Sequence, residues 1–523
     1  MKYVGNPETI FAQFSNSNYT ILLGGYAILT LSREEIEALA LMPEIIYVEK
    51  PKSFYYEVYN GRIASCINTF YNRYGLSGRG TLVAVVDSGI DYTHPDFLQP
   101  DGSTRIACLW DQTTNIVYNA ADINDILSSD TASLHNIVYS LDPSGHGTHA
   151  AGIAAGNGAA SQGIYRGIAY EASLLVVKLA PRSPLGFPQT TQIMEAVDFC
   201  IRKSIELKMP ISINLSLGNT YGSHSGTSLL ETYLNDVQGV YKTNIIVGSG
   251  NEGSSNGHTG GLLTNRNETI ELSIGDFTPN LTIQLWKKYW DTVDITIEAP
   301  SGQSARLDLS TGVQRLNLDS ASLYITNSPP SPYSIFEETY IDMLPTASYV
   351  SSGVWKIILS PIQIKDGQFD LWLPSATARN ASTGFLASLP ETTLTIPSTA
   401  CKVITVGAYN SYSDTLAAFS GRGFTWSTDF KKPDLVAPGV DIISCAAGGG
   451  YSSKTGTSMA TPFVTGACAL LMEWGIVREN NPYMYGERIK AALIQGTRRL
   501  PFMSTLPSPE AGWGALCLDF LLE

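Results

Sequence analysis

"TLVAVVDSG", residues 81–89, decides how the rest of the chain is read. A nearly unbroken run of branched apolar residues stops at Asp87 and turns at Ser88-Gly89. Such a run suits a strand buried on both faces of a parallel sheet. It also leaves a carboxylate at the strand's carboxyl end. The segments that follow keep the same rhythm. "HGTHAAGIAAG" (146–156) reads as a small-residue helix and "SLLVVKLA" (173–180) as a second buried strand. "TQIMEAVDFCIRKSIEL" (191–207) has helical periodicity. "ISINLSLG" (211–218) and "NIIVGSGNEG" (244–253) are strands separated by the helical "SLLETYLNDVQGVY". Strands alternating with helices predict a doubly wound α/β fold, in which sites gather at the carboxyl ends of strands. Asp87, Gly218 and Asn251 all fall there.

The alternation stops near residue 255. Up to about 392 the chain is turn-rich and strand-like, with runs such as "ETIELSIG", "LTIQLWKKY" and "GVWKIILSP". That spacing predicts an inserted β-sandwich or jelly roll. The α/β pattern resumes at "KVITVGAYN" (402–410) and ends in helices over 457–475 and 485–498. Near the N-terminus, a strand-like run to Leu31 precedes "SREEIEALALM", where Ser32 and Glu35 have capping-box spacing. The strand "EIIYVEK" and a linker, "PKSFYYEVYNGR", follow. The expected domains are a small α/β unit at 1–57, a catalytic domain in two parts at 58–255 and 394–523, and the β insertion at 256–393.

Composition narrows the function classes. Hydrophobic residues make up 44%, enough for sizeable cores. The balance of 33 basic against 47 acidic residues, with no basic stripe, argues against nucleic-acid binding. Seven dispersed cysteines without a C-x-x-C argue against a disulfide framework and a zinc site, and favour buried free thiols. "MKYVGNPETIFAQF" lacks the pattern of a Sec signal. No stretch is read as the ~18 apolar residues that span a bilayer. The chain is therefore expected to be soluble and cytoplasmic on synthesis.

Near the C-terminus, "SKTGTSMATPFVTGACALLMEWG" (453–475) places Ser458 at the start of a long apolar helix. A serine hydroxyl needs a base to take its proton, and the base needs a carboxylate to hold its tautomer. Of six histidines, His146 begins a helix between Gly145 and Gly147. Asp87 supplies the carboxylate. Taken singly, an Asp at Asp87's position is more often a turn cap, a His at His146's position more often structural, and a Ser at Ser458's position more often a helix cap. His149, three residues after His146, raises a metal pair, but no third ligand is apparent. His94, His135, His224 and His258 read as loop or surface histidines.

The blocks "VAVVDSGIDYTHPDF", "SGHGTHAAGIAAG", "SINLSLG", "GSGNEG", "AFSGRG", "KPDLVAPGVDI" and "GTSMATPFVTGACALL" resemble, in order and spacing, the signatures of the subtilases, a serine protease family. The resemblance covers roughly 75–255 and 395–500 and implies a subtilisin-like fold. It implies Ser458 as nucleophile, His146 as general base and then acid, and Asp87 as the group orienting His146. Asn251 would donate its amide to the oxyanion, with the Ser458 N–H as second donor. Thr457, Met459 and Pro462 would support the turn into the helix. Ser216, Leu217 and Gly218 would form the strand edge on which a substrate peptide adds. Gly248, Ser249 and Gly250 would line the first specificity pocket. Glu252 reads either as a rim carboxylate favouring basic side chains or as a solvated loop acid. No cofactor is expected. Calcium is common in the family, but no EF-hand loop occurs in this sequence.

In secreted subtilases an N-terminal propeptide assists folding and is removed by the enzyme. "MPEIIYVEKPKSFYYEV" resembles the end of one, which puts the junction within Lys52–Val58. The alternatives are a permanent subdomain and a propeptide that is cut yet stays bound. The layout as a whole resembles the germination-specific subtilases of spore-forming anaerobic bacteria, which cleave the pro-form of a cortex-lytic enzyme. The expected partners are thus a protein substrate and the chain's own prodomain, and the expected location is spore-associated. Two other functions stay open: a general peptide-degrading subtilase, and a binding module with an occluded triad.

Overall fold

The computed structural model describes residues 1–14, 18–22, 25–48, 57–128, 141–180, 188–310, 312–424 and 431–519. It divides into two compact units, Met1–Tyr55 and Tyr56–Glu523. His135 and residues 52–56 of the expected junction lie outside the described residues.

The first unit is a four-stranded sheet in the order Asn18–Leu22, Tyr26–Thr30, Lys2–Tyr3, Ile45–Tyr47, with helices Pro7–Phe11 and Arg33–Ala40. Its core gathers Tyr3, Ile10, Phe11, Phe14, Ala27 and Leu39. The capping box forms: Ser32 Oγ accepts from the Glu35 N–H at 3.3 Å, and Glu35 Oε2 accepts from the Ser32 N–H at 2.8 Å. The single run expected up to Leu31 is instead a hairpin of two strands. Gly25 makes the turn at φ +76°, where a Cβ would lie 2.8 Å from the Tyr3 carbonyl oxygen.

The second unit is built on a nine-stranded sheet. Its parallel core runs Ile404–Asn410, Thr243–Gly248, Ile211–Leu215, Leu82–Asp87, Ser173–Lys178, Ile106–Asp111. The strand Leu82–Asp87 is buried along its whole length. Because successive side chains point to opposite faces, Val83 and Val85 join one core and Leu82, Ala84 and Val86 the other. The first core contains the helices His146–Ala155 and Thr457–Met472; the second contains Thr190–Leu207 and Leu229–Val237. This is the doubly wound arrangement predicted above.

Helix Thr457–Met472 is the fold's axis. Every residue in it is buried except Ser458, which is half-buried. With the turn that follows, Thr457–Val477 is long and apolar enough to cross a membrane, contrary to the sequence reading. Its most apolar window is 83% buried inside the protein, so its hydropathy reflects a core position.

Between His258 and Phe385 the chain forms two antiparallel sheets of six and five strands. They enclose their own core, with Trp355, Ile295 and Leu323 among its buried residues. Trp372 of this β-sandwich is stacked between His224, with centroids 4.0 Å apart, and His258, at 5.0 Å. His224 Nδ1 also lies 2.7 Å from the Leu394 carbonyl oxygen. His94, His224 and His258 are therefore buried, not loop or surface histidines.

Two more expectations are corrected. The end of the "linker" is a helix, Glu57–Ala64. Gly61 lets it lie on the central helix, since a Cβ there would fall 2.5 Å from Phe463 Cζ. The polar, aromatic sequence gave no sign of that contact. In addition, Cys66 and Cys517 form a disulfide across 451 residues. Cys108, Cys200, Cys445 and Cys468 are buried free thiols and Cys401 is half-buried.

Candidate active site

Asp87 ends its strand beside the first turn of the His146 helix. Gly147 makes the approach feasible, because a Cβ there would meet the Gly89 carbonyl oxygen at 2.2 Å. His146 Nδ1 lies 2.7 Å from Asp87 Oδ1. The same oxygen accepts from the Ser88 N–H at 2.7 Å and from Ser88 Oγ at 3.1 Å. The Asp87 carboxylate holds the His146 pKa above its ordinary value, against the opposing effects of burial and of Lys454.

The sequence reading missed the residue that fixes this helix end. Asp142, which is buried, accepts from the Gly145 N–H at 3.0 Å and the Thr148 N–H at 2.8 Å. It also accepts from Ser88 Oγ at 2.7 Å. It thereby takes up amide groups that a helix N-terminus leaves unpaired. Burial would raise the Asp142 pKa, but the bonds from Thr148, Ser88 and Ser144 outweigh it and leave it lowered.

Ser458 is in the first turn of its helix, after Gly456. Its hydroxyl donates to the Ser216 carbonyl at 3.2 Å rather than to His146. Ser216 Oγ donates in return to the Ser458 carbonyl at 3.0 Å. A polar ladder continues below. Asn214 Nδ2 donates to Ser216 Oγ at 2.8 Å, Thr465 Oγ1 to Asn214 Oδ1 at 3.0 Å, and Ser212 Oγ to the Thr465 carbonyl at 2.9 Å. Ser212 and Asn214 alternate along the strand Ile211–Leu215 and so share the face that meets the helix, and Ser216, just past its end, extends the same ladder.

Asn251 follows the strand Thr243–Gly248. Its Oδ1 accepts from the Thr457 N–H at 3.0 Å and from Thr457 Oγ1 at 3.1 Å. That assigns the oxygen to Thr457 and leaves the amide NH2 on the Gly456–Ser458 side, where a Cβ on Gly456 would lie 3.4 Å from Nδ2. Among the described residues the Ser458 backbone N–H takes no partner. Two donors are thus available next to the hydroxyl, the arrangement that stabilises a developing oxyanion.

Leu217 is half-buried and Gly218 exposed, and among the described residues the Gly218 backbone carries no backbone hydrogen bond. The next residue is taken: Asn219 and Ile396 exchange N–H···O bonds of 3.0 and 2.8 Å. Gly250 is half-buried, whereas Gly248 and Ser249 are buried behind it and do not face an open pocket. Thr395, unremarked in the sequence, stands between Gly218 and Gly250. A Cβ on Gly218 would meet its Oγ1 at 2.4 Å, and one on Gly250 its Cγ2 at 2.4 Å. The Thr395 hydroxyl is buried without a partner.

Glu252 is not a pocket-rim acid. It is buried, with both oxygens 3.2 Å from the Ala376 N–H. His149 is no metal ligand partner of His146: its Nε2 lies 3.0 Å from the Ser452 carbonyl oxygen, and burial pushes its pKa down to about 4. His94, Asp96 and Cys445 bring ligand-type atoms within 4.8 Å of one another. Those atoms are already engaged: His94 Nε2 with the Gly450 carbonyl at 2.8 Å, and Asp96 with Tyr451 OH at 2.9 Å and Cys445 Sγ at 3.4 Å. They form a structural cluster.

Comparison with known proteins places the chain in a family. A family model described as the Subtilase family matches residues 78–328 and 380–514. One described as the Csp protease B prodomain matches residues 1–52. The structure of the Clostridium perfringens CspB protease has 40% sequence identity and a TM-score of 0.83, over 88% of this chain and 96% of that one. The PIII-type proteinase of Lactococcus lactis subsp. cremoris is 24% identical over 95% of this chain but 27% of its own length. The minor extracellular protease Vpr of Bacillus subtilis is 23% identical over 80% of this chain and 48% of its own length. The chain thus spans about a quarter to a half of these two curated relatives. It belongs to the subtilase family of serine proteases, with a Csp-type prodomain at its N-terminal end.

Proposed function

We propose that the chain is a serine endopeptidase that cuts off its own N-terminal unit and then acts on a restricted protein substrate. The observation that carries this is the 2.7 Å bond between His146 Nδ1 and Asp87 Oδ1, in a unit whose central helix presents Ser458 beside two free oxyanion donors. The Asp87 carboxylate holds the imidazole with Nε2 as the base. Nε2 takes the Ser458 proton as Oγ leaves the Ser216 carbonyl and attacks the scissile carbonyl. The oxyanion is met by Asn251 Nδ2 and the Ser458 N–H. His146 then returns the proton to the leaving amine, and water repeats the cycle on the acyl-enzyme. Substrate adds along Ser216–Gly218 as an extra strand.

Restricted rather than general proteolysis is favoured because that edge is short. Ile396 pairs with Asn219 and ends it. The likeness of residues 1–52 to the Csp protease B prodomain supports self-processing within Lys52–Val58, with the prodomain as a partner of its own enzyme. The resemblance of the layout to germination-specific subtilases suggests the pro-form of a spore cortex-lytic enzyme as the substrate and a spore-associated location.

The intact mass of the purified protein beside that of Ser458→Ala tests this reading. Two fragments divided within Lys52–Val58 in the wild type, against a whole chain in the variant, are expected. Two whole chains would overturn self-processing. Rapid breakdown of unfolded casein would favour the general protease.

A further inference from the structure

The β-sandwich turns its six-stranded sheet's inner face to its own core, where Leu281, Ile283 and Leu285 are buried. By alternation, Gln284 and Trp286 face outward from the same strand. The antiparallel register sets Tyr340 opposite Gln284 and Glu338 opposite Trp286. Tyr221 and Gly222, from the loop just beyond the substrate edge, complete a cavity of about 420 Å³ with these four residues. That volume is in the range of small-molecule sites.

The polar groups are arranged for a guest. The Gly222 N–H and the Trp286 indole N–H both donate to Gln284 Oε1, at 2.9 and 3.2 Å. The amide oxygen is thereby engaged, and the Gln284 NH2 has no partner among the described residues. Gln284 is otherwise only 2% exposed, so its orientation is fixed by the fold. The Glu338 side chain has no hydrogen bond or ion pair among the described residues. Tyr221, 41% exposed, and the half-buried Trp286 and Tyr340 contribute ring surface.

We propose that this cavity is a saccharide subsite, which takes a neutral pyranose unit of an oligosaccharide through ring stacking and hydrogen bonds from Gln284 and Glu338. Three features select this ligand class. The strands carrying Gln284 and Glu338 are interior to the sheet and paired on both sides, so a peptide has no edge on which to add. The lining contains no cation, so an anionic ligand finds no counter-charge. Aromatic walls with a few fixed planar polar groups match a ring that is apolar on its faces and hydroxylated at its rim. Burial pushes the Glu338 carboxyl up to about 7, so near neutrality it both donates to and accepts from hydroxyl groups.

The test is calorimetric titration of the full chain, carrying Ser458→Ala, with cellotetraose and with chitotetraose. Saturable binding of at least one is expected, weakened tenfold or more by Trp286→Ala. Gln284→Leu reports on the same site if Trp286→Ala does not fold. No saturable binding of either sugar at millimolar concentration overturns the proposal, as does binding that survives both substitutions. A neutral Gly-Ser hexapeptide that displaces the sugar assigns the cavity to peptide substrate and also overturns it. Cleavage activity on short peptides is expected to be unchanged by Trp286→Ala, so failure here is separable from failure of the protease mechanism.

Discussion

Ser458 and Ser216 hold each other twice: the Ser458 hydroxyl donates to the Ser216 carbonyl at 3.2 Å, and the Ser216 hydroxyl donates to the Ser458 carbonyl at 3.0 Å. The second bond has its origin in Pro462. In a helix the residue four positions on donates its N–H to a given carbonyl, and for Ser458 that residue is a proline without one. Pro462 thus frees the Ser458 carbonyl, and the neighbouring strand captures it. The nucleophile's backbone is tied to the strand edge that receives substrate.

Ser216→Ala is therefore expected to deprive a part-buried carbonyl of its side-chain donor, costing about 1 kcal/mol of stability, and to lower kcat about tenfold by loosening Ser458. In Pro462→Ala, where an N–H again reaches the Ser458 carbonyl, the same substitution should cost clearly less. Equal costs in the two backgrounds, measured by thermal melts in a double-mutant cycle, would remove Pro462 from this account.

Asn251→Ala should lower kcat by about 10²–10³-fold with little change in KM, the loss measured when the equivalent amide of subtilisin is removed. Thr457→Val keeps Asn251 but deletes one of the two bonds that orient it. A smaller loss, of about 3- to 10-fold, follows from one missing hydrogen bond. An Asn251→Ala enzyme with unchanged kcat would show that the oxyanion lies elsewhere.

The His146–Asp87 contact sets the acid limb of the pH profile. A raised pKa means that protonated His146 stabilises the fold below the ordinary histidine pKa of about 6.5, and that this stability is lost as pH rises through the raised value. Catalysis needs the neutral ring, so kcat/KM should climb with pH through a midpoint above 6.5. Lys454 opposes protonation, so Lys454→Gln should move the midpoint further up. Asp87→Asn should move it down and reduce kcat about 10⁴-fold. A midpoint that ignores both substitutions would mean that another group controls the limb.

What the sequence showed and what it hid divide along physical lines. Strands buried on both faces announce themselves as unbroken apolar runs, so five strands of the parallel core, from Leu82–Asp87 to Ile404–Asn410, were legible, whereas Ile106–Asp111, a short run next to a turn-rich stretch, was not. Asp87, His146 and Ser458 were singled out because a serine nucleophile needs a base and a carboxylate, and the resemblance of their flanking blocks to the subtilases decided between these roles and plain caps and added Asn251. Asp142 was not, because a carboxylate capping someone else's helix looks like any loop acid until the loop is folded. Thr395 belongs to the chain returning from the β-sandwich and meets Gly218 only in three dimensions. Glu252 was misread for the same reason: its partner, the Ala376 N–H, is supplied by the inserted module. The Cys66–Cys517 link joins residues so far apart that no spacing rule connects them.

Thr395 leads to a prediction about substrate choice. Its side chain fills the space between Gly218 and Gly250 with a buried, unpartnered hydroxyl, and Glu252 is too occupied to attract a basic residue. A short side chain that can hydrogen-bond is therefore expected just before the scissile bond. Thr395→Gly should open the space and raise kcat/KM for Phe or Leu at that position by about tenfold or more. Thr395→Val, equal in shape, should erase the preference for polar over apolar side chains of like size, an effect of about 1–3 kcal/mol for a buried polar group without its partner. A peptide library scanned at that position decides it: a wild-type profile led by aromatic or basic residues would exclude Thr395 from the pocket floor.

The disulfide bears on what self-processing leaves behind. A cut within Lys52–Val58 makes the helix Glu57–Ala64 the new N-terminal end, and free ends fray unless tied down. This one is tied at its base by Cys66–Cys517, by the Arg498 side chain donating to the Ala64 carbonyl at 3.2 Å, and by the Leu518 N–H donating to Ser65 at 3.3 Å. It lies on Phe463, on the same helix as Ser458. Cys66→Ser with Cys517→Ser should therefore destabilise the processed enzyme by about 2–5 kcal/mol, the usual range for a native disulfide, and lower kcat as the packing against Phe463 loosens. The unprocessed Ser458→Ala chain, which has no free end at that position, should lose less when the same two cysteines are replaced. Equal losses in the two forms would mean that the bond steadies the fold as a whole rather than the end created by the cut.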